Sequence, residues 1–93
     1  MKLSQAEIAE RMNTVHGWTL EQNEIKKQFT FKGFPEAVGF VNHLVPEAEA
    51  ADHHPDIQIN YKRVTLVYST HSEGGLTEKD FAGAAMADRI AAR

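Results

Sequence analysis

The apolar residues of this chain switch back and forth between two spacings, and that alternation constrains its fold more than any other feature. Ser4 and Glu7 have capping-box spacing, flanked by Leu3 and Ile8, and Ile8, Met12 and Val15 keep helical spacing as far as Gly17. From Trp18 to Lys32 the period falls to two. Trp18 and Leu20 alternate, Gln22-Asn23 interrupts, and Ile25, Phe29 and Phe31 resume, which predicts a β-hairpin with one apolar face. Gly33 closes that hairpin and Pro35 suits the first turn of a second helix, with a predicted stripe of Phe34, Val38, Val41, Val45 and Ala48 widened by Phe40 and Leu44. Pro46 lies inside it and is expected to kink or break the helix, with helix on both sides. Period two returns in Ile57, Ile59 and Tyr61 and again in Val64, Leu66 and Tyr68, two strands about a turn near Lys62-Arg63. After Gly74-Gly75, Thr77 is the expected cap of a last helix, with Asp80 three residues on and Leu76 and Phe81 flanking. Its predicted inner side is Phe81, Ala84, Ala85, Asp88 and Ala92, with Met86 and Ile90 pointing elsewhere.

The order α-β-β-α-β-β-α predicts an α+β fold: a four-stranded antiparallel sheet, one layer thick, with three helices on one face. The absence of a linker or repeat in 93 residues predicts a single domain, 1–93. Ten Lys and Arg against thirteen Asp and Glu argue against a nucleic-acid-binding surface over the whole domain. With no Cys, thiolate zinc sites, iron–sulfur clusters and cysteine nucleophiles are excluded. No apolar run approaches the ~20 residues of a membrane span, and the polar N-terminus does not resemble a signal peptide, so a cytoplasmic protein is expected. Sheet edges and the small-residue run Ala82, Gly83, Ala84, Ala85 and Ala87 suggest a homodimer or homotetramer.

Chemistry concentrates in the histidines. A two-residue turn at Lys62-Arg63 sets Ile57 opposite Tyr68, Ile59 opposite Leu66 and Tyr61 opposite Val64, and carries His54 to a place opposite His71. His53, His54 and His71 would then share one rim of the sheet, where imidazoles suit general acid–base catalysis near neutral pH. Solvated polar surface is the plain alternative. Zinc ligation is disfavoured, because neither a helical H-x-x-x-H pair nor an obvious carboxylate ligand accompanies them. Glu49, four residues before His53, could orient it or be an exposed helix charge, and Asp80 reads first as part of a helix cap.

The run Glu49-Ala50-Ala51-Asp52-His53-His54-Pro55-Asp56, followed by Tyr61, Ser69-Thr70-His71 and Gly75-Leu76-Thr77-Glu78-Lys79-Asp80, resembles the pterin-4a-carbinolamine dehydratases. The likeness reaches upstream through Gly17-Trp18, Phe29-Thr30-Phe31-Lys32 and Gly39-Phe40, and so covers nearly the whole chain. It implies dehydration of 4a-hydroxytetrahydrobiopterin, or a related 4a-hydroxypterin, to quinonoid dihydropterin and water, a step of pterin recycling needing no metal and no organic cofactor. It implies that His53, His54 and His71 are the active-site histidines and that Glu49 and Asp80 are the acidic site positions. Pro46, and Ile57-Gln58 where an aromatic residue often follows the H-H-P element, depart from the family's pattern. Some relatives act instead as partners of a homeodomain transcription factor or as assembly factors, so a non-catalytic interaction role is the alternative.

Overall fold

A computed structural model describes residues 1–93, and its elements follow the expected order. Helix α1 spans Gln5–Met12, strands β1 and β2 span Thr19–Glu21 and Glu24–Thr30, and helix α2 spans Phe34–Ala51. Strands β3 (Asp56–Asn60) and β4 (Arg63–Tyr68) follow, then a 3-10 turn at His71–Glu73 and helix α3 (Glu78–Ala91). The sheet is antiparallel throughout, in the order β1-β2-β4-β3. This is the predicted α+β architecture, with β4 interior and β3 an outer strand.

The alternation is realised on the two middle strands. Ile25 and Phe29 of β2 and Val64, Leu66 and Tyr68 of β4 are buried, as are Phe40 and Leu44 of α2 and Phe81 and Ala84 of α3. Trp18 meets Phe29 edge to face at 6.0 Å and donates its indole N–H to Asp88, whose other oxygen accepts from Lys27 Nζ at 2.8 Å. That polar knot fastens the first hairpin to α3. Both expected capping boxes form, Ser4 with Glu7 and Thr77 with Asp80. Arg11 reaches Glu78 through two bonds of 2.7 and 2.8 Å, joining α1 to the start of α3.

The helices are rotated from their predicted faces. On α2 the buried row is Ala37, Phe40, Leu44 and Ala48, while Phe34 and Val45 are exposed. Two overlapping apolar rows run along α2, and packing against β4 and α3 selects the one with alanines at close contact points. On α3 the buried row is Asp80, Phe81, Ala84, Ala87 and Ile90; Ile90 turns inward, and Asp88 sits at the rim where it serves Trp18 and Lys27. The alanines at 84 and 87 are thus used inside the chain. Pro46 does not break α2, which is continuous from Phe34 to Ala51. Both Pro46 and Asn42, whose carbonyl loses its partner, are exposed, so water can take the vacated bond.

The second hairpin corrects the expected register. Its central turn residues are Tyr61 and Lys62, and Ile57 pairs with Leu66, Ile59 with Val64 and Asn60 with Arg63. Tyr61 takes φ 56°, the sign that a two-residue hairpin turn requires at its first position, and it leaves the apolar face for solvent. The displacement from the expected pairing is two residues. Such a shift returns every side chain to the same face, so apolar matching along the strands does not distinguish the two registers. The ladder begins at Asp56 and Val67, and His54 is not paired with His71. Ile57 and Ile59 lie on the helix-bearing face with Val64 and Leu66, yet remain 39% and 38% exposed because β3 is the outer strand.

Candidate functional site

The site grows out of two chain reversals. At the end of α2, Asp52 adopts the left-handed conformation (φ 51°), its N–H bonds the carbonyl of Glu49 and the His53 N–H bonds that of Ala48. This pair of bonds is a Schellman closure, with aspartate in place of the usual glycine. It stops the helix and turns His53 toward α3. At the end of β4, a bridge between Thr70 and Gly75 closes the loop that holds the 3-10 turn, and the chain enters α3 through Thr77.

Asp80 joins these segments. Its side chain is fully buried. Oδ2 accepts the Thr77 backbone N–H at 2.9 Å and the Thr70 hydroxyl at 2.8 Å, and Oδ1 faces His53 Nε2 at 2.7 Å. The Thr77 hydroxyl stands 2.9 Å from that of Thr70 and itself accepts the Lys79 N–H. Because Thr70 gives its proton to Asp80, Thr77 gives its own to Thr70, and the chain of donors points one way into the carboxylate. One oxygen of Asp80 caps α3, as the sequence suggested, and the other holds an imidazole. In the neutral ring, with that carboxylate oxygen as acceptor, Nε2 carries the proton and Nδ1 is the nitrogen left with a lone pair.

Tyr68 backs the pair. Its ring lies nearly parallel to that of His53, with centroids 5.9 Å apart, and presses on α3 at Gly83, where a Cβ would stand 2.5 Å from Tyr68 Cε1. The phenol hydroxyl is buried without a partner. Burial pushes its pKa up to about 12, and the charge of Asp80 acts in the same direction.

The other sequence-predicted residues lie as follows. Glu49 bonds His54 Nε2, not His53, and both partners are exposed. The turn at Asp52 carries His53 inward and leaves His54, the next residue, on the outside with the last turn of α2. His71 is exposed at the head of the 3-10 turn, next in sequence to Thr70, and no hydrogen bond or ion pair joins it to the other two histidines. No three His, Asp or Glu side chains come close enough together to hold a metal ion. Thr70, Tyr68 and Gly83 were not predicted as site residues. Thr70 had a readable signal, since it continues the parity of Val64, Leu66 and Tyr68 and so places a hydroxyl on the buried face.

A cavity of about 250 Å³ opens beside this arrangement, lined by Ala51, His53, Lys79, Ala82, Gly83, Met86 and Arg89. Of the cavities on the protein it alone is lined by one of the five predicted residues. An imidazole held on a buried carboxylate at the edge of a small cavity is an arrangement that can move protons.

Known proteins resemble this chain along nearly its whole length. The profile of the family described as pterin 4 alpha carbinolamine dehydratase matches residues 1–90. A protein of Chloroflexus aurantiacus named "Putative pterin-4-alpha-carbinolamine dehydratase" is 55% identical over 89 residues, 96% of each chain. A Sulfolobus acidocaldarius protein of the same name is 53% identical over 81 residues, 87% of this chain and 89% of that one. Among solved structures, a Brucella melitensis protein described as a transcriptional coactivator/pterin dehydratase superposes with a TM-score of 0.94 at 35% identity, over 98% of this chain and 99% of the other. A pterin dehydratase-like protein described as a RuBisCO assembly factor shares the fold, with a TM-score of 0.65 at 23% identity over 80% and 86% of the two chains. The chain belongs to the pterin-4-alpha-carbinolamine dehydratase family.

Proposed function

We propose that the protein dehydrates a 4a-hydroxytetrahydropterin, such as 4a-hydroxytetrahydrobiopterin, to quinonoid dihydropterin and water by histidine general acid–base catalysis. The observation that carries this reading is the His53–Asp80 pair beside the cavity, with Nε2 engaged and Nδ1 free. In the proposed step Nδ1 of His53 takes the proton from N5 of the pterin, and the N5 electron pair forms the C4a=N5 double bond. The C4a–O bond breaks with its electrons on oxygen, which takes a proton from an exposed imidazole, His54 or His71, and leaves as water. Glu49 orients His54, and Asp80 keeps His53 in the tautomer that can accept. Each proton transfer of this kind contributes on the order of 10²–10⁴-fold. The step calls on neither metal nor organic cofactor.

In this reading the protein works in the cytoplasm as a homodimer or homotetramer. No helix is long and apolar enough to cross a membrane, and the exposed Ile57 and Ile59 of the outer strand, with Tyr61 in its turn, offer an apolar edge to a second copy. The same edge supports the second reading, an interaction role without catalysis. One assay separates them: the decay of 4a-hydroxytetrahydropterin, generated in situ by a hydroxylase, followed by absorbance. The purified protein should accelerate it, replacing both His53 and His54 by Ala should remove most of the acceleration, and His71→Ala should cost at least about tenfold, some 1.4 kcal/mol of barrier. No acceleration, or near-wild-type turnover in the double variant, overturns the reading.

A further inference from the structure

The cavity beside His53 has a charge pattern that dehydration alone does not require. Its α3 wall is Lys79, Ala82, Gly83, Met86 and Arg89, a single row along one helix face about 15 Å from end to end at 1.5 Å per residue. Ala51 and His53 form the facing wall. Apart from the imidazole, the charged side chains on it are both cations, although acidic residues outnumber basic ones thirteen to ten in the chain. Lys79 and Arg89 have no carboxylate in ion-pair contact, as is true of most Lys and Arg residues of the chain; only Arg11, Lys26 and Lys27 have one. Lys79 is moreover the second residue of α3, where the helix dipole disfavours a cation. Between the two charges the wall is low. Ala82 carries only a methyl, the side-chain direction of Gly83 is taken up by Tyr68, and Met86 supplies an adaptable apolar surface.

We propose that the substrate of this protein is a pterin whose side chain ends in an anionic group, a phosphate or a carboxylate, and that Arg89 is the residue that selects it. The proposal rests on the dehydratase reading and deepens it. A pterin ring resting on Ala82-Gly83 faces His53. Arg89 lies six residues beyond Gly83, roughly 9 Å along the helix axis. That distance suits a three-carbon substituent carrying a terminal charge. A guanidinium presents paired N–H donors that match phosphate or carboxylate oxygens, and the unpaired Lys79 raises the positive potential at the opposite end.

The test compares 4a-hydroxytetrahydropterins that share a three-carbon side chain ending in a hydroxyl, a carboxylate or a phosphate. At low ionic strength kcat/KM should favour at least one anionic substrate over the neutral one by about tenfold or more. The preference should fall with added salt, shrink to within about twofold in Arg89→Gln, and be partly kept in Arg89→Lys. Arg89 is exposed, so these variants should fold, and thermal melts check that they do. Equal kcat/KM for all three substrates, or an Arg89→Gln variant that retains the preference, overturns the proposal. If none of the substrates turns over, calorimetry with the oxidised, unreactive pterins decides. Tighter binding of the phosphate or carboxylate form that depends on Arg89 sustains the anionic cavity while the dehydratase reading fails. Equal or absent binding overturns both.

Discussion

Replacing Asp80 by Asn separates the two tasks of that carboxylate. The Oδ2 position faces a fixed donor, the Thr77 backbone N–H, together with the Thr70 hydroxyl. An amide nitrogen there would oppose donor to donor, so the introduced amide must keep its oxygen on the cap and turn its NH₂ toward His53. The imidazole then has to accept at Nε2, and the proton moves to Nδ1, the nitrogen assigned to the pterin. The fold loses less than it would by deletion: each of the three charge-assisted bonds, worth roughly 1.5–3 kcal/mol, becomes a neutral one of about 1 kcal/mol, a cost of about 0.5–2 kcal/mol per bond before relaxation. On the proposed mechanism turnover loses its base, and should fall by about 10²-fold or more. Asp80→Ala is the contrasting case. It strands two buried donors and the imidazole at roughly 1–3 kcal/mol each, about 3–9 kcal/mol together. That is a large part of the roughly 5–15 kcal/mol that typically holds a domain together. Urea unfolding measures both stabilities, the decay assay measures turnover, and ¹⁵N chemical shifts of the imidazole report the tautomer of His53. An Asn variant that keeps turnover within about threefold, or that keeps the proton on Nε2, refutes the assignment of His53 Nδ1 as the base.

Three further outcomes follow from the packing around this site. Gly83→Ala drives a Cβ to 2.5 Å from the buried ring of Tyr68, which Trp18 and His53 flank at 5.9 Å. Overpacking of about 1–3 kcal/mol, less roughly 1 gained in helix propensity, leaves a net loss of about 0–2 kcal/mol in urea. Tyr68→Leu should relieve it, and an additive double-mutant cycle would refute the contact. Asp52→Gly releases a left-handed residue from its strain and should raise stability by about 1 kcal/mol, seen as a higher urea midpoint; no rise refutes the strain. The raised pKa of Tyr68 means that between pH 10 and about 12 the folded state holds a proton the unfolded chain has released. Stability contributed by Tyr68 is therefore complete below pH 10 and falls as pH rises to about 12. Absorbance at the phenolate band should show a late-titrating tyrosine that Tyr68→Phe removes.

Much of this protein is decided within short stretches of sequence. Period-two and helical spacing depend only on near neighbours, and both capping boxes lie within one turn, so element order and fold class were readable. The histidines, Glu49 and Asp80 were readable as candidates because imidazoles and carboxylates are the side chains that move protons and the H-H-P element is specific. What required the tertiary structure are the choices between locally equivalent arrangements. Two apolar rows on α2 satisfy the same helical spacing, and only contact with β4 and α3 selects Ala37, Phe40, Leu44 and Ala48. Registers two residues apart keep every side chain of β3 on its face, and only the folded hairpin, with its turn at Tyr61-Lys62, shows which is used. Sequence spacing puts Glu49 a helical turn before His53, yet the left-handed Asp52 ends the helix there and hands Glu49 to His54 and His53 to Asp80. Spacing along a chain constrains a side chain's neighbours only while the local period persists. Where the period ends, at Asp52, Tyr61 and Gly74, the direction of the next segment is set by what it packs against, and the candidate site lies beside two of those three turns.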